Sequence, residues 1–194
     1  MVTVSQLESF NPGGLSAAAA SFSHAAEGLG VAQRDIASAN AQLAGWSGPA
    51  AARAHATVSR LSAGLNPAVA SVGTVESAVS TFVAAVSNAK SMLAGALSAA
   101  QGSGCTVGPD GSVTAPPAPA VPAGGTANVP IGTQALVQDA VNQHNQVVAQ
   151  ARGWQQTIRQ ALQSATAADQ AAAGTLEGAL GGAGRLGTVV TGAA

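Results

Sequence analysis

The stretch LAGWSGPAAAR, residues 43–53, joins the two longest patterned segments of the chain and so decides how the fold is connected. Gly48 allows backbone conformations that other residues rarely adopt, and Pro49 is well tolerated in the first turn of a helix. Trp46 is one of only two tryptophans in 194 residues, and tyrosine is absent. Two interpretations of Trp46 therefore compete: a packing residue at a helix corner, or an exposed side chain that other proteins recognise.

Before this turn, large apolar residues recur every seven positions, which is typical of a coiled-coil-like helix face. The stripe consists of Leu15, Phe22, Leu29, Ile36 and Leu43, with Ala18, Ala25, Ala32 and Ala39 three positions after the first four. Asn11 and Pro12 are suited to start a helix, and Gly45 is suited to end one. The pattern predicts a helix from about Pro12 to Ala44.

The same seven-residue repeat continues after the turn. Its members are Val58, Leu65, Val72, Val79, Val86 and Leu93, with Leu61, Ala68, Val75, Phe82, Ala89 and Ala96 at plus three. Because the phase is unbroken across Pro67, we predict one helix from about Pro49 to Ala100, kinked at that proline. A short connection between two matched stripes predicts an antiparallel hairpin, which we assign to residues 1–104.

The pattern changes after Gly102. CTVGPDGSVTAPP, residues 105–117, predicts a small β-hairpin around Gly-Pro-Asp-Gly, followed by a Pro/Ala-rich linker that completes the segment 105–132. A third helix is predicted from Thr133 to about Leu180, in the segment 133–181, with a flexible tail at 182–194. Its apolar stripe is Val137, Val141, His144, Val148, Ala151, Ile158, Leu162, Ala165, Ala172 and Leu176, with Trp154 near the edge. The expected fold is all-α: an antiparallel helical hairpin with a Trp-x-Gly turn, completed by a third long helix into a bundle.

Composition limits the classes of partner. Charged residues make up 8% of the chain and the net charge is -1, so there is no basic surface for nucleic acid, while a surface this poor in charge favours association with another protein. Arg53 and Arg60 are expected on a solvated helix face. The most apolar run, Val83–Ala100, is interrupted by Lys90, and the N-terminus lacks the pattern of a signal peptide. Cys105 is the sole cysteine and is expected to be a free thiol.

Three enzymatic patterns occur without the context that their chemistry needs. GAGRLG, residues 182–187, has dinucleotide-binding spacing but follows a predicted helix rather than a strand. SNAK, residues 87–90, has the Ser-x-x-Lys spacing of penicillin-binding enzymes, but Lys90 is the only lysine, so no Lys-Thr-Gly element exists. The histidines fall one on each predicted helix: His24, His55 and His144. We expect no catalytic site, no cofactor and no metal site.

The hairpin with GWSG at its bend resembles the WXG100 superfamily of type VII (ESX) secretion substrates. VSQLESFNPGGLSAAAASF and GWSGPAAARAHATVSRL are similar to the longer actinobacterial members, in which an Ala-rich third helix follows a Pro-rich connection. ATAADQAAAGTLEGAL, residues 165–180, is similar to that third helix. The sharpest motif of the family falls on Trp46 and Gly48.

The resemblance implies a non-catalytic secretion substrate or secretion-associated partner, secreted or held at the cell envelope without a cleaved signal. It implies as partners another WXG100-like protein or a second copy, and the type VII machinery; contact with a membrane stays open. The family's Tyr-x-x-x-Asp/Glu signal cannot be present without tyrosine, so either a partner supplies it or the third helix completes the bundle internally. The alternatives are an intracellular structural or adaptor bundle in the cytoplasm, and a targeting module for a separately encoded effector.

Overall fold

The computed structural model describes residues 2–119 and 131–191, and this part of the chain is almost entirely helical. The prediction of an all-α fold is therefore confirmed at the level of helical content. The elements are α1 (Val4–Ser9), α2 (Gly13–Leu43), α3 (Pro49–Gly102), β1 (Thr106–Val107), β2 (Val113–Thr114) and α4 (Ile131–Thr191). Much of the predicted linker, 120–130, lies outside the described residues.

The seven-residue repeats locate the three long helices well. Helix α2 differs from its prediction by one residue at each end, and α3 continues through Pro67 as one helix of 54 residues. The kink expected at Pro67 stays a prediction. Helix α4 is longer than predicted: it has 61 residues and reaches Thr191, so it includes most of the segment expected to be a flexible tail. Residues 192–194 lie outside the described part of the chain.

Helix α1 was not predicted, although the sequence carries a signal for it. The Thr3 hydroxyl accepts the backbone N–H of Gln6 at 3.3 Å, and the Gln6 side-chain oxygen accepts the backbone N–H of Thr3 at 3.0 Å. This reciprocal capping box satisfies two amide groups that a helix start leaves unpaired. Val4 and Leu7 are buried, and this burial holds so short a helix in place.

The C-terminal end of α3 closes with a Schellman motif. Gly104 has φ +73, a conformation that suits glycine. The N–H of Cys105 donates to the carbonyl of Ala100 at 2.9 Å, and the N–H of Gly104 donates to the carbonyl of Gln101 at 2.9 Å. Ala100 and Cys105 are buried in one cluster, which is the apolar contact that usually accompanies this cap. Packing and backbone geometry therefore agree on where α3 ends.

The predicted β-hairpin is confirmed. Thr106–Val107 pairs antiparallel with Val113–Thr114, and the turn between them includes Gly111 at φ +81. A Cβ atom at Gly111 would lie 2.7 Å from Cγ2 of Ile158, so the turn approaches α4 more closely than any side chain would allow. The hairpin thus covers part of the buried face of α4.

The described residues fall into two compact units. The first consists of Met1–Phe10 and Ala85–Ala167, and the second of Asn11–Ala84 and Ala168–Ala194. Almost all fully buried apolar residues lie in the first unit: Val4, Leu7, Val86, Ala89, Leu93, Ala96, Leu97, Ala100, Cys105, Ala151, Ile158, Ala161, Leu162 and Ala165. The middle of α4 therefore packs within the chain, together with α1, the β-hairpin and the last turns of α3.

Two hydrogen bonds tie the N-terminal segment into the first unit. Lys90 donates from Nζ to the carbonyl of Phe10 at 2.7 Å, and the N–H of Val2 donates to Oγ1 of Thr166 at 3.2 Å. Lys90 is half-buried. A charged donor on a carbonyl at a helix end favours this docked arrangement of α1.

The second unit has much less burial. Among its described residues only Ala51 is fully buried, and α2 contains no fully buried residue. Most of the predicted stripe residues of this unit are half-buried instead, and Phe22 is exposed; the half-buried ones are Leu15, Leu29, Ile36, Leu43, Val58, Leu65, Val72 and Val79. The same repeat becomes fully buried in the first unit, at Val86, Ala89, Leu93 and Ala96. Half-buried stripes leave apolar area in contact with water, and covering it would release free energy.

Candidate recognition site

The Trp46 turn begins where α2 ends at Leu43. The N–H of Ala44 donates to the carbonyl of Ala41 at 3.2 Å, and the N–H of Trp46 donates to the carbonyl of Leu43 at 2.9 Å. Both bonds span three residues rather than four, so the last turn of the helix tightens before the chain leaves it. This local geometry is consistent with Gly45 as a stop signal.

Gly48 sets the direction in which the chain enters α3. Its φ is +103, which L side chains rarely adopt. A Cβ atom built at this glycine would meet nothing within 4 Å, so the turn needs glycine for its backbone conformation and not for space. The Gly48 carbonyl accepts the N–H of Ala52 at 3.1 Å, and Pro49 is the first residue of the helix. The pairing of glycine and proline has a physical reason at each position.

The two tryptophans have different environments. Trp46 is 64% exposed, whereas Trp154 is half-buried against the cluster of Ala100, Cys105 and Ala151. A large aromatic side chain held in water gains little for the stability of its own chain, but it can bury much area against a partner. Of the two interpretations of Trp46, exposure favours the recognised side chain over the corner residue.

A neutral groove lies in the same unit, between α2 and the first part of α3. It is lined by Ile36, Ala37, Asn40, Val58, Ser59, Ser62, Ala63 and Asn66. The amide Nε2 of Gln33 donates to Oδ1 of Asn66 at 2.6 Å, so a hydrogen bond links the two helices next to the groove. Three further large apolar side chains of this unit are exposed: Phe22, Val31 and Leu61.

The titratable groups of the described residues show few interactions. His24 Nδ1 lies 3.5 Å from Oε2 of Glu27, and both side chains are exposed. The pKa of Asp110 is held below its usual value because its carboxylate accepts hydrogen bonds from the hydroxyl and the backbone N–H of Ser112. Cys105 is a free, buried thiol. Within the described part of the chain, no group of three or more His, Cys, Asp or Glu side chains is placed to hold a metal ion.

One described helix, α3, is long and apolar enough to cross a membrane by length and composition. The sequence predicted no uninterrupted apolar span, and the difference arises because a window average tolerates the occasional polar residue. A core helix of a soluble protein satisfies the same criterion, so this observation is weak evidence for a membrane span.

The enzymatic patterns are placed as follows. Residues 87–90 lie in the first unit on α3, and residues 182–187 lie inside α4 rather than between a strand and a helix. A dinucleotide fingerprint needs a strand followed by a helix N-terminus, where backbone N–H groups are free to bind phosphate.

No protein-family model, curated protein or solved structure matches the chain.

Proposed function

We propose that this chain is a non-catalytic type VII secretion substrate, or a partner protein of that pathway, recognised through Trp46 and Gly48. The resemblance of GWSG and its flanking repeats to WXG100 proteins supports the proposal, and the observation that carries it is the exposed indole of Trp46. One of the two tryptophans is half-buried, and the other lies in water next to a glycine-dependent bend, which is typical of a recognition element.

In this proposal α2 and the first part of α3 form an antiparallel hairpin, with Trp46 at its tip. Five residues, 44–48, connect the two helices, and side chains from both line one groove. A connection this short, between helices that lie side by side, supports opposite directions. The Gln33–Asn66 hydrogen bond adds a link between the two helices away from the turn.

A partner is part of the proposal because the second unit leaves its apolar stripes half-buried. Another WXG100-like protein or a second copy would cover them and gain about 25 cal/mol for each Å² of apolar area removed from water. A different WXG100-like partner would then also supply the missing Tyr-x-x-x-Asp/Glu signal, which a second copy of this chain lacks because it has no tyrosine. The proposed location is outside the cytoplasm or at the cell envelope.

Export tests the proposal. The tagged chain is expressed in an actinobacterial host with a type VII system, and culture filtrate is compared with cell pellet for wild type and Trp46→Ala. Leu136→Ala is the matched control, because Leu136 is 66% exposed but lies on α4, away from the turn in sequence. An isogenic strain lacking the type VII ATPase completes the set.

We expect wild type and Leu136→Ala in the filtrate, and Trp46→Ala in the pellet with an unchanged midpoint of thermal unfolding. Loss of the wild type from the filtrate of the ATPase-deficient strain would assign the route. Equal export of Trp46→Ala and wild type would contradict the proposal.

The second candidate is an intracellular structural or adaptor bundle, or a targeting module that works with a separately encoded effector. It is favoured by one observation: the middle of α4 is buried within the first unit, so this part of the bundle needs no partner. Retention of the wild type in the pellet of every strain, with a clean lysis control, would favour this candidate.

A further inference from the structure

We infer that the turn of the β-hairpin is a modification site, at which Asp110 isomerises to isoaspartate when the hairpin leaves α4, and that the modified hairpin cannot dock again. The folded structure holds Asp110 and Gly111 inert, so the modification marks chains that have opened locally. The inference involves neither Trp46 nor Gly48, and it does not depend on the proposed function.

The chemistry of the site follows from the sequence of the turn. Asp-Gly and Asn-Gly are the pairs most prone to isomerise, because glycine has no side chain to hinder ring closure, and the chain contains one Asp-Gly pair, at residues 110–111, and no Asn-Gly pair. The amide nitrogen of Gly111 loses its proton and attacks Cγ of the protonated carboxyl group, whose hydroxyl leaves as water. A second water then opens the five-membered ring, at Cγ to restore aspartate or at the main-chain carbonyl carbon to give isoaspartate.

The carboxylate of Asp110 is held out of this reaction in the folded chain. The hydroxyl of Ser112 donates to Oδ1 of Asp110 at 2.7 Å, and the backbone N–H of Ser112 donates to the same oxygen at 3.1 Å. These bonds hold the pKa of Asp110 below its usual value, and the positive charge of Arg159 acts in the same direction. An ionised carboxylate is a poor target for a nucleophile, because the oxygen that leaves must carry a proton.

The nitrogen of Gly111 is engaged as well. Its N–H donates to the carbonyl of Gly108 at 3.0 Å, inside the turn. Loss of the amide proton creates the nucleophile, and a hydrogen-bonded amide exchanges its proton only after that bond opens. Both reacting groups are therefore released only when the turn opens.

Contact with α4 keeps the turn closed. A Cβ atom at Gly111 would lie 2.7 Å from Cγ2 of Ile158 and 3.4 Å from Cδ1 of Leu162. All three residues belong to the first unit. Opening the turn requires the hairpin to leave the apolar side chains that it covers, so the free energy of this local opening sets how slowly the folded chain is modified.

The modified hairpin no longer fits its place. Isoaspartate adds one methylene group to the backbone of the turn, and the close approach of Gly111 to Ile158 leaves no space for it on the α4 side. Val107 and Val113, which pair across the hairpin, pack against the buried cluster that contains Cys105. Undocking therefore exposes a thiol that is buried in the unmodified chain. Refolding cannot reverse the change, because isoaspartate returns to aspartate only through the same ring.

Isomerisation is measured on the full-length chain at neutral pH, once folded and once in guanidinium chloride, with a thiol reductant present. Isoaspartate is quantified with a protein L-isoaspartate methyltransferase and assigned to residue 110 by electron-transfer fragmentation. Asp110→Glu is the negative control, since glutamate would have to close a six-membered ring. Ser112→Ala is the test variant, and Ser91→Ala is its matched control, because the hydroxyl of Ser91 also donates to an oxygen within the first unit, the carbonyl of Ser87.

We expect isoaspartate at residue 110 to form about tenfold faster or more in guanidinium chloride than in the folded chain, because the folded chain must first open locally. In the folded state, Ser112→Ala should raise the rate by about twofold to tenfold, which is the factor that one lost hydrogen bond gives. Ser91→Ala should react like wild type. In guanidinium chloride all three chains should react at similar rates.

The thiol of Cys105 measures the second half of the inference. Chains aged in guanidinium chloride are separated chromatographically by isoaspartate content and refolded, and their reaction with an aromatic disulfide reagent is followed. The chain with isoaspartate should react about tenfold faster or more than the unmodified chain, because a buried thiol reacts only after local opening. Asp110→Glu aged in the same way should react as slowly as fresh Asp110→Glu, which excludes other damage as the cause.

Equal rates of isomerisation in the folded and the denatured chain would overturn the claim that the fold protects this site. No isoaspartate at residue 110 in guanidinium chloride would overturn the site itself. A modified chain that refolds with Cys105 as protected as before would overturn the claim that its hairpin cannot dock. Equal effects of Ser112→Ala and Ser91→Ala would overturn the role of the turn hydrogen bond. Export is a separate readout, so each of these results leaves the proposed function standing.

Discussion

Replacing one leucine by alanine at two positions of α3 should reveal how unevenly stability is distributed along this helix. Leu93 is 0% exposed and lies in the first unit, whereas Leu61 is 56% exposed and lies in the second. Both substitutions are made inside the same helix, so the change in helix propensity is the same for both. The two substitutions differ in the buried apolar area that is lost and in the size of the cavity that is left.

Leu93→Ala should lower the free energy of unfolding by about 3–5 kcal/mol, because it removes a fully buried side chain and leaves a cavity. For a chain of this size, that corresponds to a fall of roughly 6–20 °C in the midpoint of thermal unfolding. Leu61→Ala should change the free energy of unfolding by about 1 kcal/mol or less.

Circular dichroism at 222 nm during heating, and urea titration of both variants, give the comparison. Similar losses for Leu93→Ala and Leu61→Ala would refute the placement of the core in the first unit. A partner that covers the second unit should increase the cost of Leu61→Ala while leaving that of Leu93→Ala unchanged.

Three further predictions concern local geometry. Gly48→Ala should lower the free energy of unfolding by about 1–3 kcal/mol, because Gly48 has a positive φ. Gly45 has open space around it and no positive φ, so Gly45→Ala should leave the free energy of unfolding unchanged or raise it slightly. Urea titration measures both. Thr3→Ala should lower the free energy of unfolding by about 0.5–2 kcal/mol through loss of the capping box, and faster amide exchange at the start of α1 would report it. Because the pKa of Asp110 is lowered in the folded state, its contribution to stability is present above the unfolded pKa and lost as pH falls through the folded one. Ser112→Ala should raise that pKa toward its ordinary value in an NMR titration, and an unchanged pKa would contradict the assigned cause.

The long helices could be predicted from sequence because a repeat of seven depends only on local order along the chain. The phase across Pro67 and the turn residues at Gly48 and Pro49 located the ends of α2 and α3 to within two residues. The turn sequence Gly-Pro-Asp-Gly located the β-hairpin in the same way. In each case the signal and the structure lie within a few residues of each other.

The distribution of burial could not be predicted, because both parts of α3 carry the same repeat. Val72 and Leu93 occupy equivalent positions, yet one is half-buried and the other is fully buried. The difference comes from α1, the β-hairpin and the middle of α4, which pack around the last turns of α3. The capping box of Thr3 and Gln6 could have indicated α1, but its stability depends on tertiary burial of Leu7, which no local pattern encodes.

The candidate site also has some features that could be predicted from the sequence and others that could not. The need for glycine at the bend between α2 and α3 could be predicted from the sequence, and Gly48 adopts the positive φ that glycine permits. The exposure of Trp46 and the half-burial of Trp154 could not be predicted, because no local pattern around either tryptophan determines its burial. Which indole meets solvent depends on how distant segments pack.

The measurement that tests the central claim most directly is the filtrate-to-pellet ratio of Trp46→Ala, taken beside its midpoint of thermal unfolding. The account predicts a ratio near that of the strain lacking the type VII ATPase, together with a midpoint within about 2 °C of wild type, because an exposed side chain contributes little to stability. A wild-type ratio would contradict recognition through Trp46, and a midpoint lowered as far as that of Leu93→Ala would show instead that Trp46 is a packing residue.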